Sequence, residues 1–204
     1  MGDPDTGDIG WYDPDPRGVI PLEPGGFRVP RSLRAKVRRG LFRVTSDRAF
    51  ERVIRACAEP RADDGVWISE PIVEAYCTLH AHGHAHSVEA WVDGDGGAST
   101  LVGGLYGVGV GAAFAGESMF SRPDLGGTDA SKVCLVHLVG HLRRAGFTLL
   151  DTQFTNPHLE QFGCVEIPRD EYRRKLIEAI GCEVGWEPFE ARGCAEAPAE
   201  PGSA

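Results

Sequence analysis

Apolar residues recur along the later part of the chain with two spacings, one typical of helices and one typical of strands. Leu135, Leu138 and Leu142 fall on one helix face, whereas segment 149–154 has the pattern of a short strand that ends at the turn Asn156-Pro157. The pattern predicts helices over 69–79, from 129 or 131 onward, near 159 and over 168–180, and strands over 86–91, 100–108, 112–116 and 149–154.

The earlier part of the chain predicts a smaller group of elements. Leu33 and Val37 share one stripe of a basic segment that Pro30 begins and Gly40 ends, as expected for a helix. The predicted elements are this basic helix over 30–40, a strand over 41–45 and a helix from 46 or 47 to 57, which together indicate a small N-terminal lobe.

The order of these elements predicts an α+β fold in which a mixed sheet is flanked by helices. That order is compatible with an acyltransferase fold of the GNAT type. The predicted domains are an acidic disordered tail over 1–9, the small lobe over 10–62, a GNAT-like catalytic domain over 63–182 and an acidic tail rich in Pro and Ala over 183–204.

Charge is distributed unevenly, although the formal net charge is −9. Residues 1–16 carry −5 and residues 183–204 carry −4, so the segment between them is neutral. Within it, seven Arg and Lys side chains occur between residues 28 and 43 without one acidic residue. Such a run is typical either of a solvated face or of a surface that holds a phosphate backbone.

The composition, 42% hydrophobic and 25% charged, is that of a soluble globular protein. The first residues are acidic and lack an apolar core, so we expect no secretory signal. The uncharged run 101–116 is too short and too rich in Gly for a transmembrane helix, which argues against a membrane partner. The six cysteines contain no C-x-x-C pair and predict reduced thiols in a cytoplasmic protein.

Two stretches superficially resemble known binding motifs. The histidines at 80, 82, 84 and 86 do not form a plausible metal site, because Gly83 breaks the helix and His80 and His82 do not share a helix face. We expect these histidines instead to be polar side chains at the end of the helix and on the following strand. The glycines of 107–111 lack G-x-G-x-x-G spacing, so they indicate a hairpin or bulge rather than a dinucleotide loop.

Three stretches carry side chains suited to chemistry. Asp151 and Gln153 alternate onto one strand face, although a strand-end Asp that caps the next loop is the alternative. Glu117 lies beside Met119-Phe120, where it is either a carboxylate next to adaptable apolar surface or an exposed strand-end residue. Segment 129–132 opens a helix whose N–H groups either face an anion or simply form a good helix start.

As a set, these stretches resemble the bacterial leucyl/phenylalanyl-tRNA-protein transferases, over roughly residues 10–180 and in the same order. The resemblance is specific because the Gly-Glu-Ser-Met-Phe-Ser and Asp-Thr-Gln elements occur together at the expected separation. It rests on Trp11 to Arg17, Arg31-Ser32-Leu33, Trp67-Ile68, Glu74-Ala75-Tyr76, Gly83 to Glu89, Gly103 to Gly107, Gly116 to Ser121, Ala130-Ser131-Lys132, Asp151-Thr152-Gln153 and Ile167-Pro168-Arg169.

The resemblance implies an aminoacyltransferase that moves Leu or Phe, and also Met as an open alternative, from aminoacyl-tRNA to proteins that begin with Arg or Lys. The new peptide bond marks the acceptor for degradation by the N-end rule. The resemblance also implies a GNAT-like catalytic domain with a small N-terminal lobe and no acetyl-CoA, and we expect no other cofactor and no metal.

Residue roles follow from the same resemblance, position by position. Gln153 is implied as the catalytic amide and Asp151 as the partner that polarises it by holding its NH₂ group. Glu117, Ser118, Asn156 and Trp67 are implied around the terminal adenosine and the ester. The implied side-chain pocket consists of Leu105, Phe114, Met119, Leu135, Leu138 and Leu150, and the tRNA backbone is expected on Arg31, Arg34, Lys36, Arg38 and Arg39.

Two other functions remain as alternatives. A GNAT acyltransferase that uses acetyl-CoA normally has an Arg/Gln-x-x-Gly-x-Gly/Ala turn that leads into a helix, and no such run precedes Asp129. A non-catalytic RNA-binding module is the alternative from another class. For the aminoacyltransferase itself we expect a monomer.

Overall fold

One mixed sheet with helices on both faces forms the body of this computed structural model, which describes residues 10, 12–60 and 67–193. The predicted tail over 1–9, together with Trp11, lies outside the described residues. The helices are α1 Arg31–Arg38, α2 Phe50–Cys57, α3 Glu70–Ala81, α4 Ala130–Ala145, α5 Pro157–Glu160 and α6 Arg169–Ile180. The strands are β1 Arg17–Ile20, β2 Arg43–Ser46, β3 Ala85–Asp93, β4 Ser99–Val110, β5 Ala113–Ser121, β6 Leu149–Gln153, β7 Val165–Ile167 and β8 Glu190–Arg192.

The strand order in the described sheet is β7-β1-β6-β5-β4-β3-β2-β8. Neighbours pair antiparallel except β5 and β6, which are parallel and are joined through α4. The predicted mixed α+β class is therefore confirmed. No helix in the described ranges is both long and apolar enough to cross a membrane.

The sheet separates two apolar layers. Leu33 and Val37 of α1 pack with α4 on one face, against side chains such as Leu105 and Leu150. Helices α2 and α3 cover the other face, where they bury side chains that include Tyr106. The helical stripe predicted for α1 is therefore confirmed.

Helix α2 begins later than its predicted cap at Ser46 or Asp47. Asp47 has a φ of +57°, and its carboxylate accepts the Ser87 backbone N–H at 2.8 Å and contacts His86 Nδ1 at 2.9 Å. Because these bonds tie Asp47 to β3, it cannot cap the helix, which starts at Phe50.

Strands from both ends of the chain join the central sheet. β1 lies between β6 and β7, and β2 lies between β3 and β8, so the segment predicted as a small lobe adds strands to the same sheet as residues 63–182. The expectation of a tail from residue 183 is wrong for residues 186–192. Trp186 stacks on His86 with ring centroids 4.2 Å apart, and β8 pairs with β2, because apolar side chains anchor this acidic segment.

The glycine-rich stretch forms the hairpin between β4 and β5, as predicted. A Cβ on Gly107 would lie 2.3 Å from the carbonyl oxygen of Ala115, and Gly111 has a φ of +53° against the end of α6. The predicted helix-end polarity of the histidines is confirmed as well. His80 contacts the Ala85 carbonyl and His82 the Thr78 carbonyl, each at 2.8 Å.

Candidate active site

A cavity of about 660 Å³ lies where β5 and β6 separate. The two strands pair only over Ala113–Ala115 and Leu149–Asp151, after which β6 ends while β5 continues to Ser121. The cavity lies along this continuation of β5 and reaches the side of α4. Its lining is Trp67, Leu105, Tyr106, Gly116, Glu117, Ser118, Met119, Phe120, Ser121, Ser131, Leu135, Leu138, Leu150, Thr152, Gln153, Phe154, Asn156, His158 and Leu159.

Two β-bulges lie at the point of separation, one on each strand. On β5, Ser118 is opposite Tyr106 and Gly116 is opposite Gly107, so Glu117 has no partner on β4. On β6, Gln153 is opposite Gly18 and Asp151 is opposite Val19, so Thr152 has none on β1. A bulge turns the side chains near it away from regular alternation. As a result both Glu117 and Gln153 face the cavity.

The amide of Gln153 is held by β5 rather than by its own strand. Its Nε2 donates to Oε2 of Glu117 at 3.1 Å and to the Gly116 carbonyl at 3.3 Å. We expected Asp151 to hold this NH₂ group, and that expectation is wrong. The bulge and the positive φ of Gln153, +64°, move its side chain away from Asp151.

Asp151 instead binds the backbone of Gln153. Its Oδ1 accepts the Gln153 N–H at 2.8 Å. Arg17 donates to both carboxylate oxygens, from Nε at 3.0 Å and from Nη2 at 2.7 Å, and the Tyr172 hydroxyl donates to Oδ2 at 2.8 Å. Asp151 is 2% exposed and does not line the cavity, so of the two side chains predicted to share one strand face only Gln153 reaches the cavity.

Glu117 is a half-buried carboxylate with two side-chain donors. It accepts from Gln153 and from the Tyr76 hydroxyl on α3. Burial raises the pKa of Glu117, although these two hydrogen bonds lower it, and the nearby charge of Asp151 also raises it. Burial and the proximity of Glu117 likewise raise the pKa of Tyr76. Glu117 and Gln153 together form a polar corner in a cavity with mostly apolar walls.

The remaining residues predicted around the ester do line the cavity. Trp67, Ser118 and Asn156 all contribute to its wall. Asn156 also has a local role, because its Oδ1 accepts the Leu159 N–H at 2.9 Å and so starts α5. The side chain of Asn156 therefore fixes the segment that closes one side of the cavity.

Five of the six residues predicted for the apolar pocket line the cavity, and one does not. Phe114 lies in the core, where its ring centroid is 5.5 Å from that of Trp186 and 6.4 Å from that of Phe147. It belongs to the part of β5 that still pairs with β6, whereas the cavity lies along the continuation of β5 beyond that pairing. The five that line the wall are Leu105, Met119, Leu135, Leu138 and Leu150.

Sequence reasoning assigned no role to several side chains at this site. Tyr76 and Arg17 lie within the stretches that carry the resemblance, and Tyr172 lies just beyond them, but nothing in local periodicity shows which carboxylate a distant donor reaches. His158, in the cavity wall, was also missed. Burial lowers its pKa, and the charge of Lys132 lowers it further. The Asn156-Pro157 turn is the sequence signal that could have placed His158 near the end of β6, because it reverses the chain just before that residue.

The basic helix presents most of its cations to solvent. Arg31, Arg34, Arg38 and Arg39 are exposed. Lys36 differs, because its Nζ lies 2.5 Å from Oδ2 of Asp129 in a half-buried ion pair. Lys132 pairs with Oδ1 of the same carboxylate at 2.8 Å. Lys36 therefore links α1 to the start of the cavity-lining helix α4 rather than extending the exposed cationic surface.

A mixed sheet with a cavity that combines apolar walls and one amide–carboxylate corner is the kind of site that enzymes use to bind and orient an apolar group. Comparison with known proteins makes the class specific. The family model described as leucyl/phenylalanyl-tRNA protein transferase matches residues 19–177, which include every residue of the cavity wall.

Two curated relatives bear the same description. The leucyl/phenylalanyl-tRNA–protein transferase of Salinibacter ruber is 52% identical over 93% of this chain and 77% of its own length. The one from Herpetosiphon aurantiacus is 52% identical over 87% of this chain and 86% of its own. The chain belongs to the leucyl/phenylalanyl-tRNA protein transferase family.

Proposed function

We propose that this protein transfers Leu or Phe from aminoacyl-tRNA to the N-terminal amine of proteins that begin with Arg or Lys, and so marks them for N-end-rule degradation. The observation that carries the proposal is the Gln153–Glu117 pair, which forms a polar corner in a largely apolar cavity. Membership in the family supports the class of reaction.

The reaction needs orientation more than a strong base. An N-terminal amine has a pKa of about 8, so on the order of a tenth is neutral at pH 7. The amine nitrogen bonds to the ester carbonyl carbon, the carbon–oxygen bond to the terminal ribose breaks, and one amine proton ends on that ribose oxygen. Holding both substrates in line supplies several kcal/mol of the barrier.

Gln153 is suited to orient the amine. Both of its side-chain hydrogen bonds to described residues use Nε2, which turns the carbonyl oxygen Oε1 toward an incoming donor. Oε1 accepts a hydrogen bond from the attacking amine, while Glu117 keeps the amide plane fixed. Asp151 contributes indirectly, through the Gln153 backbone N–H.

The apolar wall explains a preference for Leu and Phe. Leu105, Leu135 and Leu138 offer no hydrogen-bond partner, so a polar side chain would lose its water there without compensation. Trp67, Ser118 and Asn156 lie along the same cavity and are proposed to contact the terminal adenosine. The exposed arginines of α1 are proposed to hold the tRNA backbone.

We also propose that the catalytic layer is GNAT-like, which is supported by the meander β3–β5, helix α4 and the parallel strand β6 that splays from β5. The proposed reaction uses no acyl-CoA, metal or other cofactor, since aminoacyl-tRNA is already an activated ester. We also propose a monomer, and cysteine usage supports a cytoplasmic location.

The test is transfer of labelled Leu from Leu-tRNA to a peptide that begins with Arg, with an otherwise identical peptide that begins with Asp as control. We expect label only on the Arg peptide. Acetyl transfer from acetyl-CoA to the same peptide would favour a GNAT acetyltransferase instead. Binding of Leu-tRNA without transfer to any peptide would favour an RNA-binding module.

A further inference from the structure

The backbone of Gln153 has a conformation that its residue type rarely adopts. Its φ is +64°, in the left-handed region, at the last residue of β6. Gly18 of β1 makes room for this turn, because a Cβ there would lie 2.6 Å from the carbonyl carbon of Phe154. The surrounding structure must therefore hold Gln153 in place.

The Asp151 carboxylate supplies that hold. Oδ1 accepts the Gln153 N–H at 2.8 Å, two residues along the chain. This bond closes the turn and fixes the direction in which the Gln153 side chain leaves the backbone. The amide then reaches Glu117 on the facing strand at 3.1 Å.

Arg17 and Tyr172 donate the other hydrogen bonds that the Asp151 carboxylate accepts. Oδ1 accepts Arg17 Nε as well as the Gln153 N–H, and Oδ2 accepts Arg17 Nη2 and the Tyr172 hydroxyl. The Arg17 guanidinium also lies over the Tyr172 ring, 4.6 Å from its centroid. The two donors come from β1 and α6, which are far apart in sequence but meet at the end of β6.

We propose that Arg17 and Tyr172 are positioning residues that lock Asp151 onto the backbone N–H of Gln153 and thereby aim the Gln153 amide into the cavity. Neither residue lines the cavity, so each acts only through Asp151 and Gln153. Asp151 serves as an anchor in this arrangement and takes no proton during the reaction, since each oxygen already accepts two hydrogen bonds.

The kinetic test rests on the proposed transfer activity. Tyr172→Phe removes one hydroxyl and keeps the ring, and Arg17→Lys keeps the charge but loses the two-pronged geometry. We expect each to lower single-turnover transfer about tenfold to a hundredfold, with KM for Leu-tRNA unchanged, because the amide is displaced. Arg173→Gln, one residue along α6 in an exposed ion pair with Asp13, is the control and should retain full activity.

Coupling separates positioning from a general structural role. In a Gln153→Ala background the Tyr172→Phe change should cause no further loss, because its effect passes through the missing amide. Additive losses would overturn the proposal. The proposal would also be overturned if the Tyr172→Phe variant and the Arg17→Lys variant each transferred at the normal rate.

A second measurement is independent of transfer. Hydrogen exchange of the Gln153 backbone N–H should accelerate about tenfold or more in Arg17→Lys, while exchange at Leu150 in the same strand stays unchanged. Equal exchange of Gln153 in the variant and the natural protein would overturn the proposal even if the transfer assay showed nothing. If the Gln153 N–H of the natural protein exchanges slowly but the protein transfers no Leu, the proposed function is wrong while the positioning of Gln153 still holds.

Discussion

The side-chain amide of Gln153 donates to the carboxylate of Glu117, 3.1 Å away across the gap where β6 and β5 separate. Its second acceptor, the Gly116 carbonyl, also belongs to β5. The orientation of a side chain on one strand is therefore set by the neighbouring strand. The bond connects two polar groups on facing walls of one cavity, and both lie at a β-bulge.

Gln153→Ala should lower transfer about a hundredfold or more, because it removes the group that orients the attacking amine. Leu-tRNA binding should persist, since the apolar wall and the α1 surface are intact. Single-turnover transfer and equilibrium binding measure the two quantities. A Gln153→Ala protein with full transfer activity would refute the role of the amide.

Glu117→Ala should lower kcat about tenfold to a hundredfold, because the Gln153 amide loses the acceptor that orients it. Glu117→Gln should retain more activity, because its side-chain oxygen can still accept from Nε2. The comparison of kcat between these two variants is the measurement. If Ala and Gln at this position give the same kcat, the hydrogen bond does not orient the amide.

Neutralising Arg34, Arg38 and Arg39 together should weaken tRNA binding regardless of tRNA sequence and lower the salt slope of log Kd by about one for each phosphate that the variant no longer binds. Lys36 is left intact, because its ion pair with Asp129 supports α4. The matched control neutralises 173–175 on α6, also three exposed cations. Unchanged affinity and salt slope in the α1 variant would show that its arginines are only a solvated face.

Leu135→Phe should shift substrate choice toward Leu, because the larger ring fills part of the cavity wall that α4 provides. The ratio of kcat/KM for Phe-tRNA to that for Leu-tRNA should fall about tenfold or more, as expected when a pocket loses the volume of a few methylenes. Val139→Leu enlarges a buried side chain of the same helix outside the cavity wall, and it controls for overpacking. An unchanged ratio would place the transferred side chain elsewhere.

Protein stability should rise between about pH 4 and pH 6.5. Burial, together with the nearby charges of Arg144 and His86, lowers the pKa of His141 from an ordinary 6.5 to about 4. The unfolded chain therefore binds the proton more readily, and stability is lost as the pH falls through this window. His137 has a similarly lowered pKa, about 4, and adds to the effect.

His141→Phe should reduce the loss in free energy of unfolding between pH 7 and pH 5 by about 1 to 2 kcal/mol. The phenyl ring keeps the aromatic contacts with Trp186 and Phe189. Urea unfolding at both pH values measures this, and His84→Gln at an exposed position is the control. If the free energy of unfolding of His141→Phe falls between pH 7 and pH 5 by as much as that of the natural protein, His141 is not the group responsible.

Local periodicity predicted most of the element starts. Helices α1, α3, α4 and α6 each begin within one residue of the expected position, because apolar spacing and start signals are properties of neighbouring residues. The start of α2 was wrong because Asp47 binds β3 instead of the helix. The segment 186–192 was misjudged because its composition is acidic, although Trp186 and Phe189 pack their rings against histidines.

The sequence by itself determined the family, the order of the helices and of the central strands, the apolar wall that includes Leu135 and Leu138, and the choice of Gln153 and Glu117 as candidate site residues. Only the tertiary structure decided which carboxylate holds the Gln153 amide and which cation holds Asp151. The physical reason is that strand alternation is local, whereas a bulge, a left-handed turn and an ion pair to Arg17 depend on which strands become neighbours.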